Sequence, residues 1–174
     1  MVGPREHSRP TRGRRRPPGG IASLRLVVVG RARGGLAEAA ADYEARIGKL
    51  AKFEVVVVKD EPLGRGTAGE IRQREGDRIA AATEGWTVVA FDRNGEQITS
   101  EGLAELVGAL EERPPQKTAF VVGGAEGIDP RILAASQHQL AFGRATLPHQ
   151  LARVVAVEQL YRALTIRRGL PYHR

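Results

Sequence analysis

The sequence contains no cysteine and few aromatic residues, with one tryptophan, three tyrosines and four phenylalanines among 174 residues. The absence of cysteine excludes disulfide bonds and thiolate metal sites and suits a reducing compartment, so we expect the protein in the cytoplasm. No apolar run approaches the roughly 20 residues that a membrane-spanning helix needs. The longest runs of β-branched residues, at 27–29 and 55–58, have the length of strands. We therefore expect no membrane partner.

Metal motifs and the common nucleotide-binding loops are also missing. The four histidines, at positions 7, 138, 149 and 173, lack ligand spacing, and no H-E-x-x-H motif occurs, so we expect no bound metal. The segment Gly-Arg-Ala-Arg-Gly-Gly at 30–35 does not match G-x-G-x-x-G, and Leu36 stands where a P-loop needs lysine. Binding of NAD or a nucleoside triphosphate therefore loses its main support.

Positive charge is concentrated at the two ends of a chain whose net charge is +7. Residues 1–23 carry six arginines and one acid, and residues 144–174 carry six arginines and one acid. Residues 24–143 hold 15 basic and 18 acidic side chains. This distribution favours a local anionic partner, although solubility alone accounts for the charge equally well.

The first 23 residues are rich in arginine, proline and glycine and contain almost nothing to bury. We predict a disordered extension at 1–23 and a single folded domain at 24–174. The extension is either a nucleic-acid-binding arm or upstream sequence included by an early start site.

Strand and helix patterns alternate through the folded domain. Strands are predicted at 24–29, 53–58, 86–91, 118–122 and 139–142, and helices at 36–50, 67–83, 100–112, just after 129–130, and 149–168. Thr67 with Glu70 is predicted to form a capping box for the second helix, and Ser100 is predicted to cap the third. This order predicts an α/β fold with a mostly parallel, five- to six-stranded sheet and helices on both faces. Ligands of such sheets bind beyond the carboxyl ends of the strands.

Three loops lie at that edge. The segment 92–95 is predicted as a turn that ends the third strand, because Asn-Gly is a turn signal. The fourth strand runs into 123–127, where three glycines in five positions allow a ligand to approach the backbone closely. The segment 142–150 leads into the last helix, and Pro148 marks the start of that helix. Each loop is also compatible with a purely structural role.

The last helix and the residues after it combine apolar and chemically active side chains. Leu151, Val154 and Val155 line one side of the helix, and Val157, Leu160 and Leu164 line the other. A helix that is apolar on both sides is covered on both sides, which points to a second subunit. Glu158 and Arg162 are spaced for an ion pair, and Arg162 could instead hold a phosphate. The chain ends Tyr172-His173-Arg174, groups suited to base stacking, proton transfer and phosphate binding.

Four segments together resemble one family. They are Val-Val-Gly-Gly-Ala-Glu-Gly at 121–127, Thr-Leu-Pro-His-Gln at 146–150, Glu-Gln-Leu-Tyr-Arg-Ala at 158–163 and the terminal Pro-Tyr-His-Arg. In order and spacing they resemble the bacterial 23S rRNA pseudouridine N3-methyltransferases, the RlmH family of the SPOUT class. The likeness covers about residues 24 to 174 and implies a trefoil knot near the C-terminus.

The resemblance implies a homodimer that uses S-adenosylmethionine to methylate N3 of a pseudouridine in helix 69 of 23S rRNA (nucleotide 1915) in the assembled 70S ribosome. It assigns cofactor binding to Phe91, Gly123, Phe142, Gly143, Arg144, Ala145, Thr146 and Leu147. The C-terminal tail of one subunit would complete the catalytic site of the other, and our hypothesis is that Tyr172 stacks on or orients the base there. His173 or solvent takes the N3 proton, and Arg174 with Arg162 holds phosphate.

Two other functions are compatible with the sequence. One is a non-catalytic α/β RNA-binding module that uses the basic C-terminal end, and binding of S-adenosylmethionine would distinguish it from an enzyme. The other is a SPOUT methyltransferase that acts on tRNA. The Tyr-His-Arg terminus and the absence of an added RNA-binding domain favour the ribosomal substrate.

Overall fold

The computed structural model describes residues 22–173. Most of the predicted extension at 1–23, together with Arg174 and the side chain of His173, lies outside the described residues. The first strand begins at Ser23, one residue before the predicted domain boundary. Among residues 22–173, no helix is both long and apolar enough to cross a membrane.

Five strands and five helices alternate along residues 22–173. The strands are β1 (Ser23–Val29), β2 (Lys52–Val58), β3 (Thr87–Gln97), β4 (Lys117–Val122) and β5 (His138–Ala141). The helices are α1 (Gly34–Gly48), α2 (Ala68–Thr83), α3 (Ser100–Glu112), α4 (Pro130–Ala135) and α5 (His149–Arg168), and a 3-10 turn spans Pro171–His173. The strands form one parallel sheet in the order β2-β1-β4-β3-β5.

The sheet has a hydrophobic core on each face, because alternate side chains of a strand point to opposite sides. Leu24, Leu26 and Val28 of β1 belong to the core that includes α1, α3 and α5. Val27 and Val29 belong to the second core, which includes α2 and α4. The predicted α/β class, the five parallel strands and the helices on both faces are therefore confirmed, while the trefoil knot stays a prediction.

The predicted end of the third strand at Phe91 is wrong. The strand continues to Gln97, because β3 pairs with β5 twice and its register shifts in between: Phe91 and Glu96 both lie opposite Leu140. Residues 92–95 form the bulge that this shift requires. A side chain at Gly95 would lie 2.7 Å from the β5 backbone, so glycine allows the two strands to approach. The Asn-Gly signal marks a bulge here and not a chain reversal.

Two helix starts test the capping predictions. The capping box at the start of α2 is confirmed: the Thr67 side chain accepts from the Glu70 N–H, and the Glu70 carboxylate accepts from the Thr67 N–H at 2.8 Å. The prediction that Ser100 caps α3 is wrong, because Thr99 accepts from the Gly102 N–H at 3.0 Å. The Ser100 hydroxyl instead donates to a glutamine side chain of α5 at 2.7 Å.

Helix α5 lies against both α1 and α3. Its buried residues are Ala156, Val157, Leu160, Ala163, Leu164 and Thr165. On the other side, Val154 and Val155 are half-buried and Leu151 is 37% exposed. One of the two predicted apolar sides is thus covered within the chain, and the other is covered only in part. The predicted homodimer stays a prediction.

Replacement of Phe120 tests the core beneath the carboxyl edge. Phe120 is fully buried in β4 and its ring stacks on Phe91 with centroids 5.9 Å apart. The change Phe120→Ala leaves a cavity and should lower the free energy of unfolding by about 3–5 kcal/mol, measured by urea denaturation. The control Leu63→Ala, at a side chain 65% exposed, should change it by less than about 0.5 kcal/mol. Similar losses for both variants would contradict the assigned core.

Candidate functional site

A cleft of about 920 Å³ opens at the carboxyl edge of the sheet. Its wall comes mainly from three segments: residues 91–94 at the bulge of β3, the β4–α4 loop, and the segment from the end of β5 to the start of α5. Because β3 lies between β4 and β5 in the sheet, these three segments are neighbours. The cleft therefore lies where parallel sheets bind ligands.

The glycines of the β4–α4 loop shape the loop itself. A side chain at Gly123 would lie 2.7 Å from the Ile128 side chain and 2.9 Å from the Gly127 backbone, and Gly127 has a φ of +86°. A larger residue at Gly123 would therefore displace the rest of the loop. The structural role that the sequence left open for this loop applies at least to Gly123 and Gly127, which packing and conformation require.

Two phenylalanines form an apolar part of the wall. The rings of Phe91 and Phe142 stack with centroids 4.4 Å apart, and Phe91 also stacks on the buried Phe120. This row of rings runs from the core to the cleft, so a ligand there would meet a surface held rigid from behind. Such a surface suits a flat aromatic or otherwise apolar group.

Most of the segment between β5 and α5 also lines the cleft. It turns at Gly143, whose φ is +144°, and it continues to Pro148 immediately before α5. Seven of the eight predicted cofactor-binding residues line the cleft. The exception is Arg144, which is exposed and lies outside the lining. The structure thus brings the other seven together in one cleft.

Two polar side chains of the cleft wall are bound to neighbouring backbone groups. The Asp92 carboxylate accepts from the Asn94 N–H at 2.9 Å, and Arg72 donates to the Glu126 carbonyl at 3.3 Å. Asp129 caps α4, and its hydrogen bonds with the Arg131 side chain hold the pKa of its carboxyl below the usual range. In residues 22–173 no group of acidic or histidine side chains is placed to hold a metal ion.

The C-terminal tail is attached to α1 and α5 by a second group of side chains. This tail cluster consists of Tyr43, Glu158, Tyr161, Arg162 and Tyr172. The Tyr172 hydroxyl donates to the Glu158 carboxylate at 3.1 Å and lies 2.9 Å from the Tyr43 hydroxyl. The Tyr161 ring meets the Tyr172 ring edge-on, with centroids 4.7 Å apart. The Arg162 guanidinium lies 5.0 Å from the centroid of the Tyr172 ring.

The hydrogen bonds of the tail cluster have one consistent arrangement. The single proton of the Tyr172 hydroxyl goes to Glu158, so Tyr43 must donate to Tyr172. Burial and the two hydrogen bonds raise the pKa of Tyr172, which keeps its hydroxyl neutral. Arg162 donates to Glu158 at 3.0 and 2.6 Å, and this carboxylate raises the pKa of the guanidinium. The predicted Glu158–Arg162 ion pair is confirmed.

Within one chain, the tail cluster and the cleft are separate. None of the five tail-cluster residues lines the cleft, so the structure does not bring Tyr172 or Arg162 together with the predicted cofactor residues. The sequence predictions also missed Tyr43 and Tyr161. The spacing of Glu158, Tyr161 and Arg162 places these three on one helix face and could have indicated Tyr161, whereas no local signal points to Tyr43.

Comparisons with known proteins agree over nearly the whole described chain. A family model described as a predicted SPOUT methyltransferase matches residues 22–173. Ribosomal RNA large subunit methyltransferase H from Anaeromyxobacter sp. strain K is 43% identical over 152 residues, which are 87% of this chain and 99% of that protein. A protein of the same name from Clostridium novyi strain NT is 35% identical over 158 residues, with the same coverage.

Solved structures share the fold at low sequence identity. A probable methyltransferase from Bordetella pertussis Tohama I superposes with a TM-score of 0.52 and 14% identity, covering 83% of this chain and 97% of that one. An RNA 2'-O ribose methyltransferase superposes with a TM-score of 0.50 and 19% identity, covering 92% of this chain and 62% of its own. These two likenesses concern the fold alone, whereas the family model and the relatives extend to sequence. The chain therefore belongs to the SPOUT methyltransferase family.

Proposed function

We propose that the protein transfers a methyl group from S-adenosylmethionine to N3 of a pseudouridine in helix 69 of 23S rRNA (nucleotide 1915), on the assembled 70S ribosome. The observation that carries this proposal is 43% identity to a ribosomal RNA large subunit methyltransferase H, over 99% of its length. The four segments named above extend the resemblance to the pseudouridine enzymes. The ribosome as substrate implies that the protein works in the cytoplasm.

The cleft suits S-adenosylmethionine in size and lining. Its volume of about 920 Å³ lies within the range of roughly 300–1,000 Å³ that is usual for small-molecule sites. The stacked pair Phe91 and Phe142 offers an apolar wall, and the loop at 123–127 and the segment 142–147 offer backbone polar groups. When bound, S-adenosylmethionine supplies a methyl group on a positively charged sulfur. The residues of the cleft then have mainly to position and desolvate the reactants.

The acceptor nitrogen carries a proton that must be removed. Among the tail residues Tyr172, His173 and Arg174, only histidine is a residue type whose reference pKa lies near neutrality. We therefore assign His173 as the acceptor of the N3 proton, with solvent as the alternative. Arg174 and Arg162 are proposed to hold RNA phosphates. Because Arg162 is bonded to Glu158, a phosphate would share its guanidinium with that carboxylate.

A homodimer would complete the site. The tail cluster keeps Tyr172 away from the cleft of its own chain, and the side of α5 that carries Leu151 and Val155 is only partly covered. A second copy on that side could cover it and offer its tail to the first copy's cleft. In this arrangement Tyr172 would orient the base with its ring while its hydroxyl stays bonded to Glu158 and Tyr43.

Mass mapping of ribosomal RNA tests the substrate. Assembled ribosomes that lack this methyl group are incubated with the protein and S-adenosylmethionine, and helix 69 fragments are analysed by mass spectrometry. We expect a gain of one methyl group on the pseudouridine-containing fragment. Omission of S-adenosylmethionine is the control, and a parallel reaction contains tRNA. A gain on tRNA alone, or none on helix 69, would contradict the proposed substrate.

Replacement of His173 tests the proton acceptor. The change His173→Ala should lower the methylation rate by about 10²–10⁴-fold, because general base catalysis typically contributes that much. Binding of the ribosome and of S-adenosylmethionine should stay unchanged, which separates proton transfer from recognition. The matched control His7→Ala lies in the amino-terminal extension and should keep the full rate. A wild-type rate for His173→Ala would assign the proton to solvent.

A further inference from the structure

Glu75 of α2 is buried without a use in the proposed reaction. Glu75 is only 3% exposed, and it lies on the face of the sheet opposite α5. One carboxyl oxygen accepts from the Glu61 N–H at 2.9 Å. The other oxygen is buried and has no hydrogen-bond partner among the described residues. A buried polar atom without a hydrogen-bond partner lowers the stability of the fold, so the presence of Glu75 at this position calls for a reason.

The unpartnered oxygen is directed at the β4–α4 loop of the cleft. A side chain built on Gly124 would lie 2.7 Å from this oxygen and 2.9 Å from Val29. Gly124 also lines the cleft, so the loop backbone at this residue lies between the Glu75 carboxyl and the space for the ligand. Any shift of the carboxyl toward the loop would move the cleft wall.

Two more residues of α2 support the same loop. Arg72 donates to the Glu126 carbonyl at 3.3 Å. Gly76 lets the helix approach Asp129, since a side chain there would lie 2.6 Å from the Asp129 side chain. Helix α2 thus contacts the beginning, middle and end of the loop, and Glu75 supports its beginning. Through Glu61, the same carboxyl also holds the segment that follows β2.

We propose that Glu75 is a positioning residue that holds the loop at 123–127 in the position needed to bind S-adenosylmethionine. The inference rests on the proposed function, because it takes that molecule as the ligand of the cleft. The carboxyl fills the space beneath Gly124 and accepts from the Glu61 N–H, and its neutral form would place no full negative charge under the loop.

The charges around Glu75 favour this neutral form. Burial raises the pKa of its carboxyl, and the nearby Asp60 and Glu61 carboxylates raise it further, while the Glu61 N–H and Arg78 lower it. Arg78 is itself paired with Glu61, and Val29 contributes only apolar contact. A carboxyl whose pKa is raised by folding stabilises the fold at low pH. That contribution is lost as pH rises above about 4.3 toward the folded-state pKa.

Calorimetric titration with S-adenosylmethionine tests the proposal. The full chain is compared with Glu75→Gln, Glu75→Ala and the control Glu84→Gln, which removes an exposed carboxylate at the end of the same helix. We expect Glu75→Ala to weaken binding by about tenfold and Glu75→Gln, an isostere of the neutral acid, to stay within about twofold at pH 6. The control should match the wild type.

As pH rises above about 4.3, the urea midpoint of the wild type should fall relative to that of Glu75→Gln, because the raised pKa of Glu75 favours the protonated carboxyl in the folded state. The loop offers a separate test of positioning that leaves Glu75 unchanged. Gly124→Ala should weaken binding more than Gly48→Ala, whose added methyl meets no atom within 4 Å.

Each outcome has a definite meaning. Wild-type affinity in Glu75→Ala, or affinity as weak in Glu75→Gln as in Glu75→Ala, would overturn the proposal. If Glu75→Ala does not fold, Gly124→Ala still decides, because wild-type affinity in that variant would overturn the proposal. Failure of the wild type to bind S-adenosylmethionine at all would instead overturn the proposed function, and the inference with it.

Discussion

The parallel pairing of β3 with β5 is the contact on which the cleft depends. The pairing is interrupted by a bulge and resumes because Gly95 allows the two backbones to approach. It places Phe91 beside Phe142 and brings the segment after β5 next to the loop after β4, since β3 lies between β4 and β5. A different register would separate these walls. The cleft is therefore a consequence of strand order and register, which together position its lining residues.

Two groups of side chains near the sheet hold other parts of the proposed site in place. Helix α2 supports the β4–α4 loop from below through Arg72, Glu75 and Gly76. The tail cluster attaches the C-terminal turn to α1 and α5 through Tyr172 and Glu158. The first group shapes the proposed cofactor site within one chain. The second group holds the tail away from that site, so the proposed catalysis needs two chains.

The order of strands and helices could be predicted from the sequence, because apolar periodicity and turn residues are local signals. The bulge could not, since Asn-Gly favours a turn unless a neighbouring strand pairs across it. The cap of α3 could not be predicted either, because Thr99 and Ser100 both carry a hydroxyl that could serve. The Ser100 hydroxyl instead contacts α5, and a tertiary contact of this kind has no local signal. Seven of the residues that the resemblance assigns to the cofactor lie together in the cleft, and their role stays a prediction. The contact of Tyr172 with Tyr43 joins distant segments and has no local signal.

Hydrogen–deuterium exchange with and without saturating S-adenosylmethionine tests the central claim most directly, namely that the cleft between these loops is the cofactor site. Backbone amides that become buried or hydrogen-bonded on binding exchange more slowly. The account predicts slower exchange in residues 123–127 and 142–147 and unchanged exchange in α3. Saturated binding without protection of either segment, or with protection confined to the tail, would contradict it.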